Sequence, residues 1–318
     1  MDAKIDILTE QNPASKSKRW LKILRPVIAI AVAIALAVTI YKSAGKLQDQ
    51  EFDFTKLEWH YLLFAMFAYS VAMLFSAIVW RIFLVAMGGR PGWLATIRAF
   101  IVSQLGKYIP GKAMVVVIRT DMIRDKDNDT VTAVASVFAE TLTWIFVGSV
   151  IACVLIFTEF REQTALKWTA GTLAILGGLV TLPPVFRFLA ARIAKRDLSA
   201  FSGLRFSTLA IGWLLLAAGW AMNGLSLWLV LHSFPEIELG LAEYRLALAC
   251  VSLATVAGFV SLLPGGLGVR ELVMIPLLGP QFGMGIAVVA AILIRLVWLF
   301  AELACTAIIY PLGRNARE

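Results

Sequence analysis

From Tyr61 to Trp80 the chain runs for twenty residues without one charged side chain. Comparable apolar stretches recur near residues 26–41, 131–157, 168–186, 207–231 and 285–311. A helix of about 20 apolar residues spans the hydrocarbon core of a bilayer, where every backbone hydrogen bond must close inside the protein. Six such stretches predict an all-α integral membrane protein with about six transmembrane helices. Composition agrees, because 60% hydrophobic and 16% charged residues, with a mean hydropathy of +0.82, leave too little polar surface for a soluble domain of 318 residues.

Two further apolar segments, 93–118 and 246–279, are interrupted by Pro110-Gly111 and Pro264-Gly265. Each half reads as too short to cross alone, which predicts two re-entrant helical hairpins whose irregular backbone is surrounded by protein or lines a wet cavity. The expected layout is a tail over 1–25, a polytopic membrane domain over 26–311 and a second tail over 312–318. A basic stretch, KSKRWLKILRP, precedes the first apolar run as it would in a secretory signal. The long polar leader and Tyr41-Lys42 at the far end favour a retained anchor.

The net charge of +8 raises the question of nucleic acid, and the placement of the charge answers it. With the N-terminus inside, nineteen of the 29 Lys and Arg residues, Arg119 among them, fall in cytoplasmic segments and six on the opposite side. Lys107, Lys112, Arg270 and Arg295 remain at hairpin or membrane depth. This bias expresses membrane orientation with both termini cytoplasmic, and no nucleic-acid partner is expected. Cys153, Cys250 and Cys305 lie in apolar spans as packing thiols, and His60 and His232 sit near span ends, so neither a disulfide framework nor a metal site is expected.

The stretch GKYIPGKA, Gly106 to Ala113, nearly spells a phosphate-binding loop of nucleotide hydrolases. Ala113 replaces the hydroxyl that would hold magnesium, and the surrounding apolar segment is no α/β context. What the stretch shares is a pattern with the other half of the chain. Ile109-Pro110-Gly111 matches Leu263-Pro264-Gly265 at an offset of 154, and Glu140 and Arg295 follow their prolines by 30 and 31 residues. Repeats over about 61–157 and 207–311, each with a broken element, would run in opposite directions through the membrane, a plan recurrent in transporters.

Ionisable groups at bilayer depth cost about 2.5–3.5 kcal/mol each on insertion scales, so those that persist face a cavity or a partner. Candidate binding residues are Lys107, Lys112, Arg119, Glu140, Gly265, Gly266, Gly268, Arg270, Glu271 and Arg295, with Gly106, Pro110, Gly111 and Pro264 as hinges. Cations beside broken helices and glycines that admit a phosphate oxygen favour an anion. Alternatives stand beside this. Glu140 would serve as the counter-charge of a hairpin cation or as a proton-coupling carboxylate; Lys107, Lys112 and Arg119 would be ordinary loop charges; Trp144 and Trp298 would be packing residues. Glu302 is a further buried acid, two turns beyond Arg295 on the same helix face.

QLGKYIPGK (104–112), SLLPGGLGVRE (261–271) and AILIRLVW around Arg295 resemble the membrane region of lysylphosphatidylglycerol synthases, a family with many stand-alone members. The resemblance covers about residues 60–311. It implies a bacterial cytoplasmic-membrane protein that, like that region in the synthases, acts as a flippase for a lipid with an anionic headgroup. Related regions occur beside glycosyltransferases that use polyprenyl phosphate lipids, which implies a glycosyltransferase or lipid-synthesis enzyme as partner and leaves an oligomer open. The chain departs from the family where an acid is usually followed by Arg, since here the pair is Glu140-Thr141. No segment resembles the synthases' soluble aminoacyl-transferring domain, so the expectation is a translocator that is not an enzyme and uses no cofactor. An intramembrane lipid-modifying transferase and a non-catalytic accessory remain the alternatives.

Overall fold

The computed structural model describes residues 53–109, 113–125, 128–159, 164–194, 197, 201–235, 237–238, 240–261 and 263–313. The expected crossing at 26–41, both tails' ends and Pro110, Gly111 and Lys112 lie outside them. Among the described residues the chain is all helix with no strand. The helices are α1 (Trp59–Ala86), α2 (Trp93–Gln104), α3 (Ala113–Ile123), α4 (Thr130–Glu159), α5 (Thr164–Thr181), α6 (Pro183–Ala194), α7 (Phe206–His232), α8 (Leu241–Val260), α9 (Val269–Phe282) and α10 (Met284–Ile309). Five of these, α1, α4, α7, α8 and α10, are long and apolar enough to cross a membrane, as befits a multi-pass membrane protein.

Two halves repeat one order of elements. In the first, α1 and α4, of 28 and 30 residues, enclose the short α2 and α3 of 12 and 11; in the second, α7 and α10, of 27 and 26, enclose α8 and α9 of 20 and 14. The equivalent helices α1 and α7 lie against each other through small residues. A Cβ on Gly212 would meet the Phe83 ring at 2.9 Å, and the Ser226 hydroxyl donates to the Ala65 carbonyl at 2.9 Å. Close backbone approach with a hydroxyl bridge suits helix packing in lipid, where burying apolar surface gives no net drive.

Two expectations need correction. The helix α8 begins at Leu241, because the Glu243 carboxylate caps the Gly240 N–H at 2.7 Å, and its 20 residues are enough for a crossing. Within the two interrupted segments the short pieces are therefore α2, α3 and α9. The apolar run at 168–186 is no single straight span, since its two parts meet at 69°. Pro183 has no N–H to continue α5 and instead opens α6, where a proline is tolerated. Arg187 of α6 then donates to the Ser202 carbonyl at 3.0 Å and to that of Leu204.

The breaks themselves come together. The turn Leu105–Tyr108 after α2 packs against the turn Pro264–Gly266 after α8. A Cβ on Gly265 would lie 3.3 Å from the Tyr108 ring, so that glycine permits the contact.

Candidate functional site

A cavity of about 440 Å³ lies where the two breaks meet, and Lys107, Arg119, Glu140, Gly265, Gly266 and Arg270 line it. Three ion pairs lie at or beside it. Arg119 on α3 places Nη1 2.8 Å from Glu140 Oε2 on α4, with the side chains 2% and 5% exposed. Its Nε donates to Ser103 Oγ at 3.1 Å, and the guanidinium lies 4.2 Å from the centre of the Phe100 ring. Arg119 is thus no cytoplasmic loop charge, and the orientation count loses one member. The missing Arg after Glu140 is made good from α3: Arg119 supplies the positive charge, while the Thr141 hydroxyl lies 3.5 Å from the carboxylate.

In the second half the same pairing recurs with the charges exchanged. Glu271 on α9 accepts from Arg295 on α10 at 2.8 Å, and its other oxygen accepts the Gly268 N–H at 2.9 Å. The carboxylate therefore caps α9 and fixes Arg295 together. Positive φ values at Gly265 (57°), Gly266 (69°) and Gly268 (84°) shape this turn, a region costly for residues with a Cβ.

The third pair joins the halves. Lys107 Nζ, in the turn after α2, binds the Glu302 carboxylate of α10, and the Tyr69 hydroxyl of α1 donates to that carboxylate too. Lys107 Nζ also donates to the Tyr69 oxygen at 3.2 Å, and the Tyr69 ring stacks on Trp298 at 4.5 Å. Glu302 is fully buried. It pairs across the two halves with Lys107, and not along its own helix with Arg295.

Arg270 is left over. Among the described residues it makes no ion pair; its Nε is buried without a hydrogen-bond partner, and its guanidinium lies 5.4 Å from the Trp298 ring centre. Four cations, Lys107, Arg119, Arg270 and Arg295, thus face three carboxylates, Glu140, Glu271 and Glu302, leaving one positive charge in excess among the described residues.

Arg295, Glu271 and Gly268 stand behind the lining and brace it. Gly106 packs on α3, where a Cβ would meet the Val115 nitrogen at 2.9 Å. Pro264 opens the second turn. Residues the sequence did not single out also reach the cavity, including Tyr69, Gln104 and Asn223, each a lone polar group in or beside an apolar run. No group of three metal-ligating side chains occurs among the described residues.

Gly266 offers a direct test of how tightly this turn is built. A Cβ there would sit 3.0 Å from both the Gly258 Cα and Arg270 Nε, whereas one on Gly268, also at positive φ, meets nothing within 4 Å. Gly268→Ala, at φ 84° and ψ −45°, is expected to lose only the cost of that backbone conformation, about 1–3 kcal/mol. Gly266→Ala is expected to lose about 1–3 kcal/mol more from overpacking, read as a lower thermal unfolding midpoint in detergent.

The family model for the lysylphosphatidylglycerol synthase TM region matches residues 23–304. The chain belongs to that family. The match extends through both breaks and all three ion pairs, and with it the protein takes its place in a lipid-related membrane family. No curated protein sequence matches the chain.

Proposed function

We propose that the protein moves a lipid with an anionic headgroup across the bacterial cytoplasmic membrane, the headgroup passing through the cavity between the two breaks, without catalysing a reaction. The observation that carries this reading is Arg270: a cation with a buried, unpartnered Nε lines a cavity whose other lining charges are already paired. A lone cation at such a place is costly unless an anion visits it. Family membership supports lipid as the source of that anion.

The lining also suits a lipid. Phe138 lines the cavity and is 50% exposed, so an apolar ring is accessible at the site. Tails would stay in lipid beside Phe138 while the headgroup sits near Arg270. In this reading α2–α3 and α8–α9 are the moving broken elements of two inverted repeats, both termini are cytoplasmic, and a glycosyltransferase or lipid-synthesis enzyme supplies or consumes the lipid. No cofactor is required; movement is downhill or driven by protons or membrane potential. The residues a transferase would draw on are Glu140 and His232; Glu140 lines the cavity but is ion-paired with Arg119, and His232 lies outside the lining and stacks on Tyr61 at 5.0 Å.

The test is transbilayer movement of fluorescent anionic phospholipid in proteoliposomes holding the purified protein. Acceleration over protein-free vesicles is expected, and Arg270→Ala should slow it about 10- to 100-fold, the equivalent of one hydrogen-bonded charge contact. No acceleration by the unsubstituted protein, or an unchanged rate with Arg270→Ala at equal incorporation, would sink the proposal.

A further inference from the structure

We infer that the cavity selects a headgroup with a single negative charge, a phosphodiester, over doubly charged phosphomonoesters and pyrophosphates. This rests on the reading of the cavity as an anionic-lipid site and specifies the charge that site accepts. Each carboxylate is matched by geometry to one cation: Glu140 to Arg119, Glu271 to Arg295 and Glu302 to Lys107. Only Arg270 is unmatched among the described residues. A monoanion beside it brings the charges of the described cluster to neutrality. A dianion leaves a buried negative charge close to Glu140 and Glu302, and burying unbalanced charge is strongly unfavourable.

The open donors point the same way. Arg270 Nε, Arg295 Nε and Arg295 Nη2 are buried without hydrogen-bond partners, and Arg295 as a whole is only 6% exposed. Arg295 Nη2 would lie 3.2 Å from a Cβ on Gly265, and Arg270 Nε 3.0 Å from one on Gly266, so the unused N–H groups converge on the turn that lines the cavity. A phosphodiester offers two non-bridging oxygens that share one charge, which suits donors grouped around one surplus cation.

The headgroup's own ionisation gives the experiment its handle. A phosphomonoester takes its second charge with a pKa of about 6, whereas a phosphodiester stays singly charged throughout. Among the described residues, the titratable and charged groups around the cavity are Lys107, Glu302, Tyr69, Tyr108, Arg119, Glu140, Arg270, Arg295 and Glu271. The phosphodiester lipid reports any change in them, because its own charge is constant.

Phosphatidylglycerol, phosphatidic acid and phosphatidylcholine would be compared as competitors of a fluorescent phosphatidylglycerol bound to the purified full chain in detergent. At about pH 8 phosphatidylglycerol should bind about tenfold more tightly than phosphatidic acid, and near pH 5 that preference should largely vanish. Arg270→Gln should abolish the preference for phosphatidylglycerol over phosphatidylcholine. Phosphatidic acid binding at least as tightly as phosphatidylglycerol at the higher pH would overturn the inference, whatever the transport assay gives. If the charge preference holds while no lipid crosses vesicles, the translocator reading fails and the charge selection stands. Water-soluble glycerophosphoglycerol should compete at least about a hundredfold more weakly; equal competition would assign the site to a free phosphodiester and remove its lipid source.

Discussion

Glu140→Gln is expected to lower stability by about 3–5 kcal/mol, because it leaves the Arg119 guanidinium buried without its counter-charge. The two side chains are 2% and 5% exposed and 2.8 Å apart, so little water reaches the guanidinium to replace the carboxylate. The cost belongs to the stranded charge more than to the lost contact. Removing both partners with Arg119→Met and Glu140→Leu should therefore recover most of the loss. The thermal unfolding midpoint in detergent checks this, and a double variant no more stable than Glu140→Gln would show that the pair is not electrostatically isolated.

The Lys107–Glu302 pair should respond asymmetrically. Lys107 is 18% exposed toward the cavity, while Glu302 is 0% exposed and its Oε2 has no partner. Lys107→Met strands a fully buried carboxylate and is expected to cost about 3–5 kcal/mol. Glu302→Gln strands a cation that can turn toward water and keeps an acceptor for the Tyr69 hydroxyl, so its cost should be nearer 1–3 kcal/mol. Equal losses for the two variants would mean that Lys107 is as dry as its partner. Because this pair fastens the first break to α10, it also couples the two halves of the chain.

Much of the fold was legible because lipid imposes a simple rule on sequence. The charge-free run ending at Trp80 and the run from 207 to 231 became α1 and α7 almost as read, and Pro264-Gly265 marked the turn between α8 and α9. The similar spacing of Glu140 and Arg295 from their prolines also carried meaning, since each pairs with an opposite charge on the short helix before it. Elsewhere the signal was ambiguous. Glu243 and Arg245 look like the end of an apolar segment, but Glu243 caps a helix that has already begun. Arg119 sits beside Asp121 and Arg124 and reads as loop, yet its side chain points back against Phe100 and Ser103. Pairing of Lys107 with Glu302, 195 residues away, depends on the two breaks meeting and has no local signature. The bare charge of Arg270 could be seen in sequence; that it is the surplus one could not.

The most direct measurement puts a photoreactive group on the headgroup of phosphatidylglycerol and asks which residues of the membrane-reconstituted protein it labels. Gln104, Thr141 and Gly266 line the cavity, whereas Leu63 and Phe67 face outward at 65% and 70% exposure. Label on the first group, reduced by Arg270→Ala, is the expected result. Label confined to the outward-facing residues of α1 and indifferent to Arg270 would contradict the claim that an anionic headgroup enters between the two breaks.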